Sequence, residues 1–315
     1  MPSPALLASV ASLFWALRAA AQRTSFGSAA KDILINSGET ELLAYNVTNG
    51  AACAHISLIT IESAELLWQA YDAARLRVYL DGEPTASVTF PLGFADEGDL
   101  VPFGTQLIGN TAYNGGIYLT LKVPFTASVR VTLGLGAGDL GPHRVHAALR
   151  GSTGLCPLTF AGAGPQPPAT RTVLRVTAID GATLAPGAVV PLVQSARPGV
   201  LAFIGFKPSS AANMSWSAGA FAAKLDGAPP FPLSFDTENF FLTADGYSSK
   251  TYTTPLAGIT ALDALLAHRI IAWRAFDQDP VLWSASANIT WTVGAQTDPA
   301  GETLLSAYVF FYEFE

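Results

Sequence analysis

The chain is poor in charge, sulfur and histidine, and each shortage closes off a class of function. Only 13% of its 315 residues are Asp, Glu, Lys or Arg. Its 17 basic residues are outnumbered by 24 acidic ones, giving a net charge of −7, and they are scattered along the chain. Nucleic-acid binders gather Lys and Arg on one face to displace counterions from phosphates, so no nucleic-acid partner is expected. Two cysteines, Cys53 and Cys156, are too few for a disulfide scaffold, although an oxidising lumen would let them pair. Four histidines supply one close pair, His143 and His146, with no third ligand nearby, and no metal site is expected. The acidic loop Asp96-Glu97-Gly98-Asp99 reads as a solvated turn ahead of a Ca²⁺ site. Glycine-rich phosphate loops, serine nucleophile elbows and thiol redox motifs are missing. After residue 21 no apolar run approaches the ~18 residues that span a bilayer.

What the sequence has is apolar bulk. Half of it is hydrophobic, enough for a large core and too much for disorder. Residues Leu6 to Ala21 read LLASVASLFWALRAAA: one charge at Arg18, a short apolar stretch, then Ala19-Ala20-Ala21 as a small-residue cleavage site. Residues 1–21 therefore read as a signal peptide, with a weak signal anchor or an apolar first helix as the alternatives. Three sequons follow, at Asn46, Asn213 and Asn288, each a glycosylation acceptor if exposed. Together they point to a secreted or luminal protein, with no membrane association beyond that leader.

Glycine (28) and proline (21) suit turn-rich strands better than helical bundles. Period-two alternation runs through Arg75 to Leu80, Ser128 to Leu133 and Arg171 to Ile179, as in strands that bury one face. Helical signals are confined to Ser63 to Ala73 and Ile259 to His268, which read as short connecting helices. A Pro/Gly-rich linker, residues 162–170, separates a first domain at 24–161 from a second at 171–315. The two halves echo one another. Leu80-Asp81-Gly82 precedes Phe90-Pro91-Leu92-Gly93-Phe94, and Leu225-Asp226-Gly227 precedes Phe231-Pro232-Leu233-Ser234-Phe235. Phe125-Thr126-Ala127-Ser128 likewise parallels Trp283-Ser284-Ala285-Ser286. The offsets are 226 − 81 = 145 and 283 − 125 = 158, as a duplication with a later insertion gives. The expected fold is all-β: a tandem double jelly-roll of two antiparallel β-sandwich domains with short connecting helices.

Several blocks resemble glycoside hydrolase family 172. They are Leu76-Arg77-Val78-Tyr79-Leu80-Asp81-Gly82-Glu83, Pro91-Leu92-Gly93-Phe94, Leu121-Lys122-Val123-Pro124-Phe125, Ser234-Phe235-Asp236-Thr237-Glu238-Asn239-Phe240-Phe241, and Trp273-Arg274-Ala275-Phe276 leading to Asp279-Pro280. The likeness runs from about residue 35 to 315 in the same block order. It implies a double jelly-roll that assembles as a homotrimer or a multiple of trimers, resembling certain viral capsid subunits. It also implies a retaining furanosidase acting on α-fructofuranosides or α-arabinofuranosides through two glutamates, with a carbohydrate ligand and no metal or organic cofactor.

Retaining glycoside hydrolysis needs two carboxyl groups ~5–5.5 Å apart. Glu238 stands at the resembling motif among Phe235, Phe240 and Phe241 and is the first candidate; a structural carboxylate at a turn before a buried strand is its alternative reading. No further glutamate occurs until Glu302, so Asp245 is the nearest substitute for the second group, unless it is a plain Asp-Gly turn. Asp236, Phe240, Arg274 and Tyr247 complete the expected sugar-binding set. The motif departs from the family where Ser234 and Asp236 replace glycines and Asn239 replaces an acid. These departures open a second reading: a catalytically inactive double jelly-roll for glycan binding or for an oligomeric shell. Asp81 and Glu83 are expected to brace loops or a subunit contact.

Overall fold

The computed structural model describes residues 24–36, 38–48, 53–63, 74–94, 105–110, 116–135, 142–154, 171–243, 251–263, 268–295 and 301–315. The leader at 1–21, the linker at 162–170, the stretch 64–73 and Cys156 lie outside them. Cys53 is disulfide-bonded.

In the first roll one sheet runs β1 (Thr24–Ile35), β10 (His143–Thr153), β3 (Ala54–Ser63), β7 (Gly116–Leu119) and β6 (Ile108–Asn110), with β8 (Val123–Phe125) paired to β3. The facing sheet runs β2 (Glu39–Asn46), β9 (Ser128–Leu135), β4 (Ala74–Leu80) and β5 (Val88–Pro91). In the second roll the larger sheet runs β11 (Thr172–Leu184), β21 (Thr303–Phe314), β13 (Gly199–Ser209), β18 (Arg269–Ala275), β17 (Ala257–Asp263) and β16 (Tyr252–Thr253), with β19 (Leu282–Trp283) on β13. Its partner sheet runs β12 (Val189–Ser195), β20 (Ala287–Thr292), β14 (Ala220–Leu225) and β15 (Phe231–Pro232). The first four strands of each roll alternate between its two sheets, and first and last strands pair. Each half is a jelly roll, and the chain is an all-β double jelly-roll.

The strands form where the alternation says they should. In β4 the pattern is strict: Ala74, Leu76, Val78 and Leu80 are buried while Arg75, Arg77 and Tyr79 are half-exposed. Burying one such aliphatic side chain contributes roughly 1.5–3 kcal/mol, so a one-residue slip in register would forfeit the whole inward set.

The rolls repeat each other closely, with β16 an added edge strand in the second. Bulges fall at matching places: Ala30/Ile33 in β1 and Ile179/Ala182 in β11, Glu41/Leu43 in β2 and Pro191/Val193 in β12. A third pair skips Ser57 in β3 and Ala202 in β13. The shared Asp-Gly turns are one device used twice. Asp81 (φ 51°) and Gly82 (φ 78°) match Asp226 (φ 53°) and Gly227 (φ 74°), the doubly left-handed turn that Asp and Gly tolerate best. Asp81 Oδ1 accepts from the backbone N–H groups of Thr126, Ala127 and Ser128 at 2.6–3.1 Å. The Asp226 carboxylate accepts from those of Ser284, Ala285 and Ser286 over the same range. Each aspartate staples its turn to the strand pair expected from the offsets of 145 and 158.

Two expectations are corrected. The expected helix from Ile259 begins instead as strand, because Ala257–Asp263 is β17, paired with β18 on one side and β16 on the other; residues 264–267 lie outside the described residues. Its alanines and leucine favour helix only weakly, and a two-sided ladder that buries Ala257, Gly258, Ile259 and Thr260 outweighs them. The Phe-Pro-Leu blocks are also out of step. Phe90 stands opposite Leu76, whereas Phe231 stands opposite Ala223, two residues further along the matched strand.

The rolls are fused through the outer face of the larger second-roll sheet. Leu174, Phe203, Trp273, Phe310 and Tyr312 join a single core cluster with first-roll residues such as Phe90 and Val123. Phe90 meets Phe310 edge-on at 5.6 Å, and the Tyr312 hydroxyl donates to the Lys122 carbonyl at 2.9 Å. The sheet is therefore buried on both faces, and β13 and β21 carry long apolar runs, 199–206 and 307–312. At the rim, Arg171 pairs with Asp81, Glu83 and Glu315, each at 2.9 Å. Arg175 pairs with Glu83 at 3.0 Å and Glu313 at 3.4 Å. Burial pushes the Asp81 carboxyl up, but the three amides and Arg171 outweigh it and hold it below its ordinary value. Glu83 is likewise lowered, by Ser87, Arg175 and Arg171 against burial. Asp81 and Glu83 thus brace the contact between the two rolls of one chain.

Candidate functional site

The expected catalytic motif is one helical turn, α1 (Thr237–Phe240), set between β15 and β16. Asp236 starts it. With an extended backbone (φ −150°, ψ 178°), its Oδ1 accepts from the Asn239 N–H at 2.6 Å, which is the preferred chemistry of an N-cap. No glycine is needed at that conformation. Thr237 is fully buried: its hydroxyl donates to the Gly219 carbonyl at 2.8 Å and accepts from the Trp291 indole at 3.0 Å. Phe241 ends the turn, and Leu242 follows with φ 61°.

Four of the six sequence-predicted site residues converge here. Asp236 caps the turn, Glu238 sits half-exposed in its first residues, and Phe240 closes it. Arg274, from β18, lies over the Phe240 ring at 4.9 Å, donates to the Phe240 carbonyl at 2.6 Å and pairs with Asp279 at 3.2 Å. Asp245 and Tyr247 lie outside the described residues.

Phe240 needs correction as a sugar platform. It is 0% exposed and stacks on Phe221 with ring centroids 3.7 Å apart, inside an aromatic cluster with Phe206, Phe241 and Trp291. Its ring belongs to the roll's core because position 240 falls on the inward side of the turn. The exposed aromatic of the motif is Phe235, at 86%. Asp236 is engaged as the cap, and Arg274 is engaged in holding α1 to β18.

A cleft of about 380 Å³ opens beside the turn, between β15 and β19. Leu225, Phe231, Leu233, Phe240, Arg274, Phe276, Asp279, Pro280, Val281 and Leu282 line it. Among the described residues its lining holds one carboxylate, Asp279, already ion-paired, whereas furanoside hydrolysis with retention takes two. Among the described residues no cluster of three or more His, Cys, Asp or Glu could hold a metal ion. Also among them, no helix is long and apolar enough to cross a membrane. Two sequons are exposed, at Asn46 and Asn288; Asn213 is half-buried and accepts from the Ser215 N–H at 2.9 Å.

Sequence reasoning undervalued Arg171 and Arg175, which make the densest ion-pair network described. The signal was there at the head of β11, where Arg171 just before the strand and Arg175 within it stand four residues apart, on one face of an extended chain.

No family model matches the sequence, and no curated protein matches it. Among solved structures, the chain is similar to the major capsid protein P2 from Bacteriophage PM2, with 10% identity over 93% of this chain and 98% of that one and a TM-score of 0.47. It is similar to the STIV MCP with 11% identity over 92% and 96% and a TM-score of 0.37. The atomic structure of Sulfolobus Turreted Icosahedral Virus matches with 12% identity over 92% and 90% and a TM-score of 0.39.

Proposed function

We propose that this chain is a non-catalytic building block, a double jelly-roll that associates with further copies of itself into a homotrimeric or larger shell. The observation that carries the reading is how the expected catalytic turn is used. Asp236 caps it, Thr237 and Phe240 pack it into the core, and the described lining of the adjoining cleft offers one ion-paired carboxylate. The fusion of the rolls supports the same reading, since a sheet buried on both faces and rimmed by arginine–carboxylate pairs makes a rigid unit. The furanoside-hydrolase reading rests on Glu238 and the nearby cleft, and one assay decides between them. Aryl α-arabinofuranoside and α-fructofuranoside are offered to wild type and Glu238→Gln. Equal background rates are expected; turnover by wild type that Glu238→Gln abolishes would overturn the proposal. The leader and the exposed Asn46 and Asn288 support passage through a secretory lumen. A mass decrease on endoglycosidase treatment of the secreted protein tests that; an unshifted, full-length intracellular product rejects it.

A further inference from the structure

Each roll opens with a long edge strand that breaks its register once. In β1, Ala30 pairs with Ala147 and Ile33 with Val145, so Lys31 and Asp32 together stand against His146. In β11, Ile179 pairs with Ala307 and Ala182 with Leu305, so Asp180 and Gly181 stand against Ser306. The second bulge residue is left-handed in both rolls, Asp32 at φ 56° and Gly181 at φ 63°. In both its backbone N–H donates to the side chain opposite. Asp32 donates to His146 Nδ1 at 3.1 Å, and Gly181 to Ser306 Oγ at 3.1 Å. One joint is built twice, with different acceptors.

The second roll's copy is indifferent to mild acid. A hydroxyl oxygen keeps its lone pairs there, and Gly181 meets no Cβ penalty in left-handed backbone. Asp180 beside it pairs with Arg75 at 2.9 Å. The first roll's copy lacks each of these supports. Asp32 carries a Cβ into the left-handed region, which costs it more than a glycine. Lys31 stands exposed in the place of Asp180. The acceptor is an imidazole nitrogen, and only the neutral ring with its proton on Nε2 has a lone pair at Nδ1 to offer. Histidine is the side chain whose charge ordinarily changes between about pH 5 and 8.

We infer that the β1 bulge is a proton-operated joint, closed by neutral His146 and opened by its imidazolium. The proton takes the Nδ1 lone pair, which leaves two donors, Nδ1–H and the Asp32 N–H, facing each other where one hydrogen bond stood. They must separate. The imidazolium has two carboxylates to turn to, that of Asp32 on β1 and that of Glu62, the residue paired with His146 from β3. Among the described residues, the cations on this stretch are Lys31 on β1 and Arg144 on β10, and His143 lies three positions back along β10. The closed joint is therefore present at neutral pH and lost as pH falls. It holds in register the end of β1, where Ile33, Leu34 and Ile35 pair with Val145, Arg144 and His143. Acid loosens that end in the first roll and leaves its counterpart in the second fixed.

The test is amide hydrogen exchange of the full chain, read by NMR at about pH 7.5 and about pH 5. Each rate is taken relative to that of an unstructured amide at the same pH, and Gly181 serves as the reference within the same molecule. In wild type the Asp32 amide should lose about fivefold in protection at the lower pH, as for one hydrogen bond given up, while Gly181 is unchanged. His146→Ser installs the second roll's acceptor and should leave Asp32 equally protected at both values. His146→Ala should leave it unprotected at both. An unchanged Gly181 amide shows that each variant has folded. Equal Asp32 protection at the two pH values in wild type overturns the inference, and so does an acid loss that persists in His146→Ser.

Discussion

Asp81 and Asp226 form an experiment built into the chain. Both sit in the same left-handed turn and both bind three consecutive backbone N–H groups, so Asp→Ala removes the same staple and imposes the same turn strain at either site. The difference is Arg171, which pairs with Asp81 across the inter-roll seam at 2.9 Å, where the two side chains are 10% and 21% exposed. Removing one member of a largely buried pair costs about 3–5 kcal/mol. Arg171 keeps Glu83 and Glu315, so the lower end, about 3 kcal/mol, is the expected excess of Asp81→Ala over Asp226→Ala. At an unfolding entropy of about 2.1 cal/mol/K per residue, that excess is about 5 °C in Tm for a chain of this length. It should also depend on pH. Asp81 and Glu83 are both held below their ordinary values, so their contribution is present above the unfolded-state pKa and is lost as pH falls through the lower folded-state value. Calorimetry at pH 7 and at successively lower pH should show the gap between the two variants held through the ordinary carboxylate range and narrowing only below it. Equal Tm losses at pH 7, or a gap that closes while both carboxylates are still ionised, would refute the clamp.

Other outcomes follow from the same geometry. Phe240→Ala removes a fully buried ring stacked on Phe221 and should cost about 3–5 kcal/mol in denaturant unfolding; a loss under about 1 kcal/mol would return Phe240 to the list of ligand-facing residues. His55 is 4% exposed, and burial, reinforced by Lys122, lowers its pKa. The fold therefore holds the neutral ring, and stability should decline as pH drops below the unfolded-state value of about 6.5. His55→Phe should flatten that decline, and an unchanged pH profile would show that the titration lies elsewhere. The Asp226 carboxyl, drawn down to about 2 chiefly by the Ser284 and Ser286 amides, should still be ionised at pH 3 by NMR titration, and a midpoint near 4 would contradict the staple.

The double jelly-roll was legible because its signals are local: alternation, Asp-Gly turns and two offsets that the Asp81 and Asp226 staples reproduce residue for residue. The misreadings share a cause in tertiary context. Ala257 to Asp263 became a strand because neighbours on both sides offered it hydrogen bonds, which no propensity in the segment could announce. The Phe-Pro-Leu blocks look alike in sequence yet sit two residues apart in register, a shift that leaves the alternation untouched. At the candidate site, a Glu among phenylalanines fits both a sugar cleft and a capped turn plugged into a core. Only the direction of the Phe240 ring separates them.

The two-sided burial of the second roll's large sheet bears on how the polypeptide is made. A nascent chain emerges from its N-terminus, and domains tend to fold in that order. The first roll's broad face is polar enough to wait in water, whereas its counterpart, with Phe203, Trp273, Phe310 and Tyr312, is not. Synthesis in this direction presents the sticky sheet only after its cover already exists, and a gene with the halves exchanged would lose that protection.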